Sequence, residues 1–343
     1  VTSSRTWRPS EHPARGRPIA PLDTTPFGIL TMTTSPTRRG VLAAGVAAAS
    51  TACLSIHARG GERSKTSSTA TAATAAAPVG GAKPGKTPHT RFACNIEMWF
   101  GHLPYVERVD AAADLGFPAI EMWGLGGKDI EAVAARARAR NVEIAQFTAW
   151  GFSPGLNEAK NHDAFEQSID RAIEAAAVLG ARKATVVGGN DVAGMTPAQM
   201  HETIRVGLSR VAAAAEAADL MLILEPMNIR VDHKGHCLYG SPDAVAICRA
   251  VGSTHVKINW DLYHMQISEG DLTGRLRDGF DQVGYLQLAD HPGRHEPGTG
   301  EIFYPRVLKA AQELGYRDLV GLECSPRDDE LSAARRVHAA DIW

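Results

Sequence analysis

From Arg91 to the C-terminus one pattern recurs: a short apolar run, a polar loop, then a longer segment whose apolar residues fall three and four apart. Short apolar runs bounded by loop residues read as strands of a buried parallel sheet, and the 3.6-residue rhythm reads as covering helices. The strand runs are 92–96, 119–122, 142–147, 184–187, 221–224, 256–258, 283–288 and 319–322. Helices are predicted over 105–115, 129–139, 163–179, 197–218, 242–251, 272–280 and 304–314, with a last one over 329–342. Leu115-Gly116, Leu179-Gly180 and Leu314-Gly315 suit helix ends that turn left-handed. Thr196-Pro197 and Ser241-Pro242 read as helix starts, a side-chain acceptor followed by proline at the first helical position. Eight alternations over residues 91–343 predict an α/β fold, a closed (β/α)8 TIM barrel. An open doubly wound sheet would want a glycine fingerprint after its first strand, and Asn95-Ile96-Glu97-Met98-Trp99 has none.

Charge divides the chain. Residues 1–90 hold 11 Lys/Arg and 3 Asp/Glu, so of the chain's 36 basic and 38 acidic residues, 25 and 35 remain for 91–343. A basic leader precedes an acidic body, which argues against nucleic acid as the partner, since phosphate contacts need clustered Lys and Arg. In the leader, Arg38-Arg39 precedes the Ala-rich apolar run 41–56, which resembles a twin-arginine export signal. That run is too short and weakly apolar to span a bilayer. The expected organisation is 1–31 as a mis-assigned start before Met32, 32–58 as the signal segment, 59–90 as a disordered Ser/Thr/Ala/Gly/Pro tether, and 91–343 as the barrel. The mature protein is then exported, periplasmic or extracytoplasmic, without an integral membrane domain. Cys53 is a candidate lipid anchor, though Ser50-Thr51-Ala52 before it lacks the usual leucine three residues ahead of the cysteine. Cys94, Cys237, Cys248 and Cys324 have no metal-type spacing; Cys94 and Cys324 are expected as buried thiols on neighbouring strands.

Chemistry gathers where strands end. The loop after the seventh strand carries Asp290, His291, Arg294, His295 and Glu296, a density of ionisable groups that suits a site better than a core. The fifth, sixth, seventh and eighth strands end in Glu225, Asp261, Gln287 and Glu323. Alone, Glu225 or Glu323 reads as an ion-paired barrel carboxylate, Asp261 with His264 as a loop hydrogen bond, and Gln287 as a core amide. Four at equivalent positions read as oxygen ligands, a set that suits Mg²⁺, Mn²⁺ or Co²⁺. Trp99, Trp123, Trp150 and Trp260 lie at or near strand ends as candidate pocket walls, and Glu121 and His291 are candidates of unassigned role.

Asp261-Leu262-Tyr263-His264-Met265-Gln266, Glu269-Gly270-Asp271, and Gln287-Leu288-Ala289-Asp290 through Pro292-Gly293-Arg294-His295-Glu296-Pro297-Gly298-Thr299-Gly300-Glu301 resemble the hydroxypyruvate isomerase group. That group belongs with the ketose 3-epimerases among the xylose isomerase-like barrels, and the resemblance covers essentially all of 91–343. It implies that Glu225 and Glu323 are both metal ligands and the acid/base pair, that Asp261 and Gln287 complete the metal site, and that His264 and Arg294 hold substrate oxygens. Asn228 and Arg230, on the fifth-strand loop, join them as candidate substrate contacts. The segment 228–236 departs from the bacterial three-carbon enzymes of the group, which leaves the substrate open.

The expected activity is isomerisation of a small hydroxy-keto acid or sugar by proton transfer through an enediolate, in a protein free to form a homo-oligomer. Rival readings on the same barrel are a ketose 3-epimerase, an inosose-type dehydratase and a non-catalytic exported sugar-binding protein. An abasic-site endonuclease would need several histidines, some from early strands, and Gln146, Thr148 and Gly188-Gly189-Asn190 supply none.

Overall fold

The computed structural model describes residues 83–343. The leader, with its signal, tether and Cys53, lies outside the described residues. Nine strands form one sheet: β1 (Arg91–Asn95), β2 (Ala119–Glu121), β3 (Glu143–Ile144), β4 (Phe147–Trp150), β5 (Lys183–Val187), β6 (Met221–Glu225), β7 (Val256–Asp261), β8 (Val283–Leu288) and β9 (Leu319–Leu322). The spatial order is β3-β2-β1-β9-β8-β7-β6-β5-β4, with every pairing parallel. Its two ends, β3 and β4, are consecutive pieces of one segment, so the sheet meets itself and the barrel closes with eight staves.

The third stave was expected as one strand over 142–147. It divides at Ala145-Gln146: its first half pairs with β2, and its second half, through Trp150, pairs with β5. Strands in a barrel are staggered, so the two flanks of one strand find partners at different heights.

Helices α1 (Glu107–Leu115), α2 (Ile130–Arg140), α3 (His162–Leu179), α4 (Pro197–Ala217), α5 (Ser241–Val251), α7 (Leu272–Gly279), α8 (Tyr304–Glu313) and α9 (Glu330–Ala340) are the predicted covers. Thr196 caps α4 in a reciprocal box with Gln199. Ser241 does not cap α5; Gly240 holds that position at φ 73°, and Glu269 Oε1 accepts from the Ser241 N–H at 3.0 Å. An unforeseen helix, α6 (Leu262–Ser268), follows β7 directly, with Asp261 Oδ1 accepting from the Tyr263 N–H at 2.8 Å. Most of its residues are buried, so it lacks the one-sided pattern by which helices are read. Among the described residues no helix is long and apolar enough to cross a membrane.

The main core lies between strands and helices, and a smaller cluster of Ala93, Ala119, Ala145, Ile223, Tyr285 and Leu319 fills the bore. Side chains two apart on a strand share a face. Gln287 therefore stands one layer above Tyr285, and the register pairs Asp261 with Gln287 and Asn95 with Glu121. An apolar plug thus passes upward into a polar layer at the C-terminal end of the strands. The four cysteines of the barrel are free and buried.

Candidate active site

Glu225 ends β6, Asp261 ends β7, and Glu323 follows β9, while α6 returns His264 over the same mouth. One ligating atom from each of these four side chains lies within 4.8 Å of the others, and all four are buried. His264 Nε2 stands 3.6 Å from Asp261 Oδ2 and 3.8 Å from Glu225 Oε1. The Arg294 guanidinium donates to Glu323 Oε2 at 2.8 Å and lies 3.7 Å from Asp261 Oδ2. Trp123 Nε1 donates to the other oxygen of Glu323 at 2.7 Å.

Gln287 lines the same cavity, one layer down. Its amide is bonded at both ends: Nε2 donates to Glu121 Oε1 at 3.0 Å, and Oε1 accepts from Asn259 Nδ2 at 2.5 Å. The hydrogen-bonded core amide expected of a lone glutamine is present, and a carbonyl oxygen still has a second lone pair to offer. Glu121 is fully buried and accepts from Asn95 Nδ2 at 2.9 Å, Tyr285 Oη at 2.9 Å and Gln287, with Gln146 Nε2 at 3.5 Å. Gly321 makes room for it; a Cβ there would run into the Glu121 carboxylate and come within 2.8 Å of Gln287 Cγ. Sequence reasoning left Glu121 without a role, although it ends its strand as Glu225 does.

Burial dominates the electrostatics. It pushes the Glu225 carboxyl well above the usual range, helped by the charges of Glu323 and Asp261. Burial, then Glu323, raises Asp261 to about 8 and Glu121 to about 7. His264 is driven well below an ordinary imidazole by burial, then by Arg294, His233 and His236. Although burial opposes the Arg294 charge, Glu323, Asp261 and Glu225 keep that guanidinium protonated. Three buried carboxylates, those of Glu225, Asp261 and Glu323, thus face one guanidinium, and Asp261 Oδ2 is buried with no hydrogen-bond partner. An acidic excess with an orphaned acceptor fits a divalent cation, which would favour the ionised form of each carboxylate. Glu225, Asp261, Glu323 and the Gln287 oxygen could hold it, a hard-oxygen donor set.

The cavity above measures about 600 Å³. Trp123, Phe152, Val187 and Met227 form its apolar walls, and Gln146, Thr148 and Thr185 line it with polar groups. Trp99, Trp150 and Trp260 do not line it; they are packed in the core. Arg230 is exposed and away from the cavity, so the structure does not place it among substrate contacts. Asn228 is buried behind His264, to which it donates, and does not reach the cavity either.

The charged loop after β8 is mostly architecture. Asp290 accepts from the backbone N–H groups of His291, Gly298, Thr299 and Ile302 at 2.9–3.1 Å. Glu296 pairs with Arg336 and accepts from the Arg327 N–H at 2.9 Å, and His295 Nδ1 contacts the Ser325 carbonyl at 2.9 Å. Of the five ionisable residues only Arg294 enters the cavity, from a left-handed backbone at φ 55°. A non-glycine residue held there is uncommon and marks a position over-determined by its surroundings.

Known proteins resemble this chain in sequence and in fold. The family described as xylose isomerase-like TIM barrel matches residues 109–340. Hydroxypyruvate isomerase of Escherichia coli (strain K12) is 32% identical over 243 residues, 69% of this chain and 94% of that protein. The 2-oxo-tetronate isomerase of Cupriavidus necator is 34% identical over 243 residues, 69% and 93% of the two chains. Among solved structures, the AP endonuclease, family 2, from Brucella melitensis superposes with a TM-score of 0.67 at 27% identity, covering 71% of this chain and 96% of its own. The chain therefore belongs to the xylose isomerase-like TIM barrel family, and its curated relatives place it among the isomerases.

Proposed function

We propose that the protein is a divalent-metal-dependent isomerase of the aldose–ketose type, acting on a small hydroxy-keto acid or sugar through an enediolate. The observation that carries this reading is the meeting of Glu225, Asp261 and Glu323 beside a buried, partnerless Asp261 oxygen. The hydroxypyruvate and 2-oxo-tetronate isomerases among its relatives support the substrate class.

A bound Mg²⁺, Mn²⁺ or Co²⁺ would supply Lewis-acid stabilisation of the negative charge that develops when a C–H next to a carbonyl is lost. The chain's own groups do the proton work. Glu225 and Glu323 both line the cavity, one to take the proton from carbon and the other to return one to the neighbouring carbon. Glu323 has both oxygens bonded, by Trp123 and Arg294, which sets the plane of its carboxylate. Arg294 keeps a buried Nε–H with no partner, a donor free for a substrate carboxylate or hydroxyl. The apolar walls keep water from the carbanionic charge while it lasts.

The endonuclease reading is not supported: the residues found together include a single histidine, on an acidic body. The test is a screen of keto-acids and ketoses with Mn²⁺ or Mg²⁺ in deuterated water. Metal-dependent deuterium at the carbon next to the carbonyl supports the reading, and a protein that binds such compounds without exchanging any proton ends it.

A further inference from the structure

His264 is fully buried, and Asn228 Nδ2 lies 2.7 Å from its Nδ1. Which of the two carries the proton between them follows from the rest of the Asn228 amide. Its Oδ1 accepts from the backbone N–H groups of Val231 at 3.0 Å and Asp232 at 3.1 Å. Its Nδ2 also donates to Asp232 Oδ2 at 2.7 Å. Turning the amide over would set its NH₂ against two backbone N–H donors and its oxygen against a carboxylate. Three good bonds would be lost to gain at most one, so the NH₂ group faces His264. A neutral imidazole has one acceptor nitrogen, which must then be Nδ1, and the ring proton sits on Nε2.

Arg294 offers a competing claim, because its guanidinium lies 3.5 Å from His264 Nε2 and would welcome a lone pair there. Distance decides against it. That contact is at the outer limit of a hydrogen bond, far longer than the 2.7 Å contact on the other side of the ring. A proton on Nδ1 would instead force two donors to within 2.7 Å. An Nε2–H has two carboxylates before it, those of Asp261 and Glu225.

From this network we infer that Asn228 is a positioning residue that holds His264 as the Nε2–H tautomer. The ring thereby presents a hydrogen-bond donor, not a lone pair, to the space between Glu225 and Asp261. His264 is then no metal ligand despite lying among the carboxylates; it is a neutral donor aimed where a carbonyl or hydroxyl oxygen of the substrate would sit. The substrate part of this assignment rests on the isomerase reading, while the tautomer does not.

The paired exchange Asn228→Asp with Asp232→Asn tests it. That exchange keeps the charge and the shape, and the new amide can bond the new carboxylate. The carboxylate now beside His264 can only accept, so the ring proton should move to Nδ1. Nitrogen-15 spectra of the full chain, labelled at histidine and assigned by loss of signals in His264→Gln, read the ring directly. The wild type should show an unprotonated Nδ1 and a protonated Nε2, and the paired exchange should swap them. Deuterium exchange into substrate should fall about a hundredfold in the swapped protein, the effect of losing one donor at a developing charge. A wild-type ring protonated on Nδ1, or a ring that stays Nε2–H after the exchange, overturns the inference. A wild type with the Nε2–H ring but no proton exchange upholds the tautomer and ends the isomerase reading alone.

Discussion

Arg294 and Glu323 are bonded at 2.8 Å, and this pair joins the loop after β8 to the end of β9. The guanidinium also lies 3.7 Å from Asp261, so one planar cation spans two carboxylates of the cluster. An ammonium would keep the charge and lose the fork. Arg294→Lys should therefore raise KM by about ten- to hundredfold, the value of a charge-assisted hydrogen bond of ~1.5–3 kcal/mol. Steady-state kinetics check this; an unchanged KM would remove Arg294 from the substrate contacts.

Glu225→Gln and Glu323→Gln keep the shape of each side chain and remove its ability to exchange a proton. Each should lower kcat by about two to four orders of magnitude, the usual contribution of general acid–base groups. Rapid-quench or deuterium-exchange rates near wild type in either variant would reassign the acid/base pair.

Asp261 sets a pH dependence of stability. Its folded carboxyl is raised to about 8 from an ordinary 3.8, chiefly by burial. Between these values the folded state holds a proton that the unfolded state has released, so stability falls as pH rises through the window. The melting temperature of metal-free protein should drop between about pH 4 and pH 8. Asp261→Asn should flatten that slope, and so should Mn²⁺, which favours the ionised carboxylate. Thermal scans across the window provide the measurement.

Gly321 is required by its neighbours. A methyl group there meets the Glu121 carboxylate and crowds Gln287, so Gly321→Ala must displace the layer beneath the cluster. Overpacking of this kind costs about 1–3 kcal/mol. The variant should melt lower than wild type and bind Mn²⁺ more weakly by calorimetry, because Gln287 moves with Glu121.

For the leader we propose export. A reporter fused behind residues 32–90 should cross the inner membrane of a bacterium with a twin-arginine pathway and stay inside when Arg38 and Arg39 are both replaced by lysine. Fractionation of cells decides it; secretion that ignores the arginine pair would refute the signal.

Strand ends were legible because a short apolar run and a polar stop are local properties. Glu225, Asp261 and Glu323 were found that way and meet in space. What depended on partners was not legible. Asp290 and Glu296 look in sequence like Arg294, yet their partners are backbone N–H groups and Arg336. Arg230 looked like a substrate contact and is exposed, outside the cavity lining. Glu121 gave no sign of its role because its four donors come from three other staves. The helix Leu262–Ser268, buried through most of its length, carries no amphipathic signature to read.

Asp290 never meets the cavity, yet its carboxylate gathers four main-chain N–H groups of a single loop. A loop knotted around its own anion has its shape before any molecule arrives, so capture of a substrate need not spend ordering entropy on Arg294. Residues on the outside of that loop are then free to drift over evolutionary time without loosening the guanidinium. The anchoring aspartate has no such freedom, and its loss should blunt turnover almost as severely as damage to a group that handles the proton.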